Sequence, residues 1–291
     1  MLIKQRNSQE INFRMVRDLI RSAKENLSKS GYSEVDAEIL FAHLLGINRM
    51  ELHNPIALEK AMEGVGDIAE DYHQLINRRL SHEPLQYITG FAHFRELELE
   101  VGPGVLIPRP ESELMVSYLL ALIEQKSGLV SVIDLGSGSG ALALSLATEC
   151  DRVRAIAVEK SPAALVWLHK NVARYSPEMR VVEGDVNEVL PGVKCDFVIA
   201  NPPYIPEDQE LPSDVLNEPK EALFGGVTGV EISRQFIAAA ARLLKSGGVL
   251  AIEHNELQAS AISGYLEEMF SNIELHYDLN DRPRWTSAVR K

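Results

Sequence analysis

The stretch Val130-Ser-Val-Ile-Asp134-Leu-Gly136-Ser-Gly138-Ser-Gly140-Ala-Leu-Ala-Leu-Ser-Leu146 decides the fold. It passes from an apolar, β-branched run through alternating glycines straight into an apolar helical pattern. β-Branched residues suit a pleated strand, glycines let the backbone turn sharply and approach a ligand closely, and the first turn of a helix exposes free amides. The segment therefore predicts a strand, a Gly-rich turn and a helix, with a ligand at the carboxyl end of the strand. The spacing G-x-G-x-G differs from the dinucleotide fingerprint G-x-G-x-x-G, which weakens a nicotinamide reading. Taken alone, such a turn is a weak signal, since a tight strand-to-helix connection without a ligand uses the same glycines.

Downstream the alternation recurs. Short apolar strands are expected at Val153–Val158, Met179–Glu183, Cys195–Ala200 and Val249–Glu253, and helices at Ala141–Glu149, Pro162–Tyr175 and Val230–Leu244. This pattern implies an α/β fold, a mainly parallel, doubly wound sheet with helices on both faces and ligands at the carboxyl ends of its strands.

Upstream, Gly102–Pro110 holds three prolines and two glycines and reads as a structured loop. Phe94–Val101 alternates like a half-buried strand and, with Gln86–Phe91 before it, suggests a hairpin linker. From about Ile11 to Leu80 the period is helical: Val16, Leu19, Ile20, Ala23 and Leu27, then Ala37, Leu40, Phe41 and Leu44, then a third helix near Ile68–Leu80. Gly31 closes the first helix and Ser33 caps the second. The expected organisation is a small all-helical domain over 1–85 that docks a partner, a hairpin linker and loop over 86–110, and a sheet domain over 111–291.

Composition narrows the class. With 291 residues and 45% hydrophobic content the chain can build real cores. Its net charge of -13 is spread along the chain, with 12 basic against 16 acidic groups in the first hundred residues and 17 against 26 in the rest. No basic stripe is present to track a phosphate backbone, so nucleic acid is disfavoured as a principal partner. Cys150 and Cys195 lack metal-ligand spacing and read as core residues, and no metal is expected. Lys4, Gln5, Arg6 and Asn7 are unlike a signal peptide, and apolar runs such as Tyr118–Ile123 are too short to span a bilayer. A cytoplasmic monomer without membrane contact is the default expectation.

Chemistry is concentrated at the strand ends. Glu159, 19 residues after Gly140, is placed to accept hydrogen bonds from both hydroxyls of an adenosine ribose. Asp185 is placed to meet an adenine amino group, with Val186 beside the ring. The deciding motif is Asn201-Pro202-Pro203-Tyr204, directly after the strand Cys195–Ala200. Two prolines stiffen the backbone and fix the direction of the Pro202 carbonyl. That carbonyl and the Asn201 amide oxygen accept the two protons of a flat NH2 group, while the Tyr204 ring covers its face. Such a clamp suits methylation of an amide or aniline-like nitrogen, whose lone pair is delocalised and needs orientation more than a strong base. S-adenosylmethionine is the expected methyl donor. His82, His93 and His254 read as structural or surface residues.

These motifs, together with Arg78-Arg79, Glu83-Pro84, Tyr87-Ile-Thr-Gly90, Ile107-Pro-Arg-Pro-Glu111, Glu218-Pro219, Ala222-Leu-Phe-Gly-Gly226, Gly247-Gly248, Glu253-His254 and Asp281-Arg-Pro-Arg284, run nearly the length of the chain. The sequence resembles the release-factor glutamine N5-methyltransferase family, known as PrmC or HemK. The resemblance implies a seven-stranded, mainly parallel Rossmann-like class I methyltransferase sheet whose last hairpin includes an antiparallel strand. The implied substrate is the glutamine of a Gly-Gly-Gln loop in a peptide chain release factor. Carried over by position, Gly136, Ser137, Gly138, Ser139, Gly140, Glu159 and Val186 bind the cofactor; Asp185 joins that set by its own placement after a strand, and Asn201 stands at its edge. Asn201, Pro202, Pro203 and Tyr204 hold the glutamine, and Asn201, Pro202 and Tyr204 act on it. The chain departs from the family pattern at Ser112, where Thr is usual, and at Asn255, where Gly is commoner.

Two other functions fit the clamp in principle. An adenine N6-methyltransferase would flip a base into it, and would need a basic channel that the composition does not favour. A non-catalytic adapter binding release factors would have no use for an intact Asn201–Tyr204 motif.

Overall fold

The computed structural model describes residues 2–63 and 65–291, of which 2–12 by their backbone only. Met1 and Gly64 of the expected helical domain lie outside the described residues. Two compact units meet in the sequence at Gly90 and Phe91.

The first unit is helical: α1 (Leu2–Lys29), α2 (Glu34–Leu45), α3 (Pro55–Met62), α4 (Ala69–Leu80) and α5 (Leu85–Thr89). The Ser33 hydroxyl accepts the Val35 amide at 3.2 Å and starts α2, as its sequence position predicts. Helix α3 escapes the periodicity because it is only eight residues long. Its signal is the Asn54-Pro55 start, in which the Asn54 side chain accepts the amides of Ile56 and Ala57. Leu27, Leu40, Phe41, Tyr72 and Ile76 form the core. Tyr72 meets Phe41 edge-on at 4.9 Å between centroids and donates its hydroxyl to the Ala37 carbonyl at 2.9 Å. A buried Asp36–Arg79 pair at 2.8 Å ties α2 to α4. Removing one partner of such a pair costs about 3–5 kcal/mol, because the other charge stays buried and uncompensated.

The second unit opens with a hairpin, β1 (Phe91–Phe94) and β2 (Leu97–Glu100). Two sequence expectations fail here. Residues 85–89 form α5 rather than a strand, closed by Gly90 at φ 81°. Phe94–Val101 is not one strand, since the chain turns at Arg95, which adopts φ 51°. Nothing in the residue type marks that turn. It is held from outside, because the Arg95 amide donates to Glu113 at 3.0 Å and its guanidinium donates to both oxygens of Glu149 at 2.6 Å.

Beyond the hairpin come α6 (Glu113–Glu124), β3 (Val130–Leu135), α7 (Ala141–Glu149), β4 (Val153–Glu159), α8 (Pro162–Tyr175), β5 (Arg180–Glu183) and β6 (Cys195–Ala200). They are followed by β7 (Ile205–Pro206), α9 (Lys220–Leu223), β8 (Phe224–Gly226), α10 (Glu231–Leu243), β9 (Leu244–Glu253), α11 (Ala259–Leu266), β10 (Phe270–Tyr277) and β11 (Pro283–Arg290). Among the described residues, seven strands form one sheet in the order β10-β11-β9-β6-β3-β4-β5. The pairs β9-β6, β6-β3, β3-β4 and β4-β5 are parallel, while β11 is antiparallel to both its neighbours.

This is the expected α/β architecture. Period-two alternation sends Val132, Phe197 and Ala251 to a core with α6, α7 and α8, and Ile133, Val198 and Leu250 to a core with α10 and α11. Strand β9 begins at Leu244, five residues before the apolar run that announces it. The chain leaves β3 for β4 on one side and returns to β6 on the other, so a crevice opens at the carboxyl end of β3.

Candidate active site

Four strand ends converge on that crevice, a cavity of about 270 Å³. Its walls include Gly136, Ser137, Gly138 and Ser139 after β3, Glu159 at the end of β4, Asp185 and Val186 after β5, and Asn201 and Pro203 after β6. Three expected site residues stand outside the lining. Gly140 caps α7 at φ 88°, where a Cβ would sit 2.8 Å from Leu168 Cδ1, so its task is to let α7 pack on α8. Pro202 is buried, and Tyr204 is half-buried with its hydroxyl turned to Glu253.

The glycine turn is pinned by its own amides. Gly136 and Ser137 both donate to the Val158 carbonyl at 2.9 Å, and Gly138 donates to Glu159 Oε2 at 2.8 Å. The amides of Lys160 and Ser161 each reach Glu159 Oε1 at 2.8 Å. A carboxylate has about four acceptor positions, so these three bonds leave room for one more donor. Glu159 can thus take one ribose hydroxyl with its scaffold intact; taking both requires an amide to let go. Asp185 is similarly engaged, since Oδ1 accepts the Asn187 amide at 3.0 Å and the Asn187 side chain at 2.8 Å, leaving Oδ2 with Lys160 at 4.0 Å. Asp134 braces the turn from below, accepting the Ala143 amide at 3.2 Å with one carboxylate oxygen while the other has no hydrogen-bond partner among the described residues. Burial pushes its carboxyl up to about 7.

The Asn201–Tyr204 loop is held rigid by neighbours distant in sequence. β7 pairs with β8, and Gly225 lies so close that a Cβ there would stand 2.5 Å from the Pro203 carbonyl oxygen. The Gln258 side chain donates to the Tyr204 carbonyl at 2.8 Å. Asn201 Nδ2 donates to Ser112 Oγ at 3.2 Å, the Ser112 hydroxyl donates to Glu253 Oε2, and the Tyr204 hydroxyl donates to Glu253 Oε1 at 3.1 Å. Burial lifts the Glu253 carboxyl to about 7, against the pull of those two hydroxyls and of Arg284. Burial, then the nearby Glu253 charge, holds the Tyr204 phenol far above its ordinary value. Across the cavity, the buried Glu218 carboxylate accepts the Ile107 amide at 2.9 Å and the Arg109 guanidinium at 2.5 Å, joining the Pro-rich loop to the segment before α9.

Ser112, Glu218 and Glu253 are supports to which sequence reasoning assigned no role. One signal was available for Glu253, which ends β9 as Glu159 ends β4. The site suits adenosine and a flat amide: acidic acceptors at the ends of β4 and β5, apolar surface from Val186 and Phe236, and the Asn201 amide and Pro203 after β6. Among the described residues no group of His, Cys, Asp and Glu could hold a metal ion.

The model of the methyltransferase small domain matches residues 111–280, and that of the PrmC N-terminal domain matches residues 18–90. The release factor glutamine methyltransferase of Mycolicibacterium smegmatis is 37% identical over 287 residues, covering 94% of this chain and 98% of that protein. Its namesake in Streptomyces coelicolor is 37% identical over 280 residues, covering 92% and 96%. Among solved structures, the catalytic domain of hMettl16 in complex with an RNA hairpin superposes with a TM-score of 0.54 at 18% identity, covering 67% of this chain and 76% of that one. That likeness shows the class I methyltransferase fold alone. The sheet, the glycine turn, the Asn201–Tyr204 loop and relatives matched over more than nine-tenths of both chains place this chain in the release factor glutamine methyltransferase family.

Proposed function

We propose that this chain transfers a methyl group from S-adenosylmethionine to the side-chain amide nitrogen of the glutamine in the Gly-Gly-Gln loop of peptide chain release factors. The observation that carries this reading is the shared wall: Asn201 and Pro203 line the same cavity as the glycine turn, Glu159 and Val186. A methyl donor seated on the turn and an amide held by the loop would therefore meet.

When bound, S-adenosylmethionine supplies an electrophilic methyl on its sulfonium. The residues that would hold it are Gly136–Ser139 of the turn, Glu159 for the ribose, Asp185 and Val186 for the adenine, and Asn201 at the edge nearest the acceptor. The rest of the chemistry belongs to the chain. Asn201 Oδ1 and the Pro202 carbonyl would each accept a hydrogen bond from the glutamine NH2, which orients the nitrogen lone pair across the plane of the amide; one N–H proton leaves the nitrogen when the methyl group is gained. The Tyr204 ring limits tilting of that plane. Orientation of this kind replaces a bimolecular encounter by a near-attack geometry and needs no strong base. The helical unit is the docking surface for the factor, and a monomer in the reduced cytoplasm is the fitting setting. No helix among the described residues is long and apolar enough to cross a membrane.

Labelled methyl transfer to purified release factor tests the reading, with a Gln-to-Ala factor and nucleic acid as controls. Label on the factor alone is expected. Label on nucleic acid, or on the Gln-to-Ala factor, overturns it.

A further inference from the structure

The clamp has a support whose proton count determines which way the Asn201 amide faces. Glu253 is 1% exposed and meets two hydroxyls, each with a single proton to give. Tyr204 spends its proton on Oε1 and Ser112 spends its proton on Oε2. Ser112 Oγ can then only accept from Asn201, so the Asn201 NH2 turns towards Ser112, as found at 3.2 Å. Among the described residues no donor meets Asn201 Oδ1, the atom a substrate NH2 requires.

We infer that Glu253, acting through Ser112 and Tyr204, is the positioning residue that keeps Asn201 in its acceptor orientation. This inference rests on the proposed function and deepens it. The carboxylate touches neither cofactor nor substrate; it fixes the hydroxyl protons, and these fix the amide.

The same count reverses on protonation. A proton on Glu253 Oε2 donates to Ser112 Oγ, freeing the Ser112 proton for Asn201 Oδ1. The amide then turns its NH2 to the cavity, where it faces the substrate NH2 donor to donor. The charged groups around Glu253 are Arg284 on β11, which favours the carboxylate, and Glu111 on the Pro-rich loop, which opposes it. His254, next in the chain, points elsewhere: its ring bonds the Asn255 carbonyl and the Thr286 hydroxyl.

The test uses the full chain with Ser112→Ala, which cuts the relay, and Ser112→Thr, which keeps a hydroxyl at the same place. Turnover and KM for release factor are measured across the pH range, and S-adenosylmethionine affinity by calorimetry. The wild type should lose turnover as pH falls through about 7, where the carboxylate is lost. Ser112→Ala should lower kcat by about 10-fold, the scale of other outer-shell orienting contacts, keep cofactor affinity, and flatten the acid limb. Ser112→Thr should restore both kcat and the limb. Wild-type kcat and an unchanged limb in Ser112→Ala overturn the inference, as does loss of cofactor affinity in step with kcat. A wild type that transfers no methyl overturns the proposed function itself, and the inference with it.

Discussion

At Asn201 one amide is divided between two duties, its nitrogen tied to Ser112 and its oxygen left for an acceptor role. Asn201→Ala removes the acceptor without touching the glycine turn or Glu159. By comparison with loss of one preorganised transition-state contact, turnover should fall about 100-fold, with S-adenosylmethionine affinity largely retained by calorimetry because Asn201 only borders that site; collapse of that affinity would show that its main task is to hold the cofactor rather than the acceptor. Residues 201–204 were legible in the sequence because they are contiguous and follow a strand. Ser112, Glu253 and Glu218 were not. Ser112 meets its partners 89 and 141 residues away, and Glu218 reaches back 111 residues to Ile107. A single sequence reads such a Glu as a solvated charge, and only the fold reveals it as buried and bonded.

The parallel strands announce themselves because burial on both faces demands unbroken apolar runs. Predicted and observed limits coincide at β6, α7 and α8. The hairpin lies within the segment where the sequence predicts one, but the limits of its strands differ because Arg95 turns the chain without a turn residue, held by Glu113 and Glu149. Strands β7 and β8 escaped notice because two and three residues carry no period. Yet this small pair sets the clamp, since Gly225 is packed 2.4 Å and 2.5 Å, by its missing Cβ, from the carbonyl oxygens of Gly229 and Pro203. Both neighbours are backbone and cannot swing aside. Gly225→Ala should therefore displace the Pro203 carbonyl, cost about 1–3 kcal/mol in overpacking, and lower kcat for release factor more than it weakens cofactor binding. Equal loss in both would mean that the β7–β8 pair supports the whole cavity rather than the clamp.

For the whole molecule, the division into a helical unit and a sheet unit follows the change of hydrophobic period, while their meeting point at Gly90 and Phe91 lies inside the segment read as a linker. Stability should carry the mark of the buried acid below the glycine turn. Asp134 keeps its proton to about 7 in the folded chain, whereas an exposed carboxyl loses it near 3.8. Between those values the native state holds more protons than the unfolded one, so this contribution falls as pH rises and is fully lost above about 7. Asp134→Asn removes the titration, and the difference in unfolding free energy between wild type and variant should change across that window; a pH-independent difference would place the charge elsewhere. The net charge of -13 suits a protein acceptor better than a nucleobase, and it is the acceptor atom that matters most. The most direct measurement is fragment mass spectrometry of a release factor incubated with this chain and S-adenosylmethionine. One methyl group on the side-chain amide of the Gly-Gly-Gln glutamine is the expected result; an unmodified glutamine, or a methyl on any other residue, contradicts it.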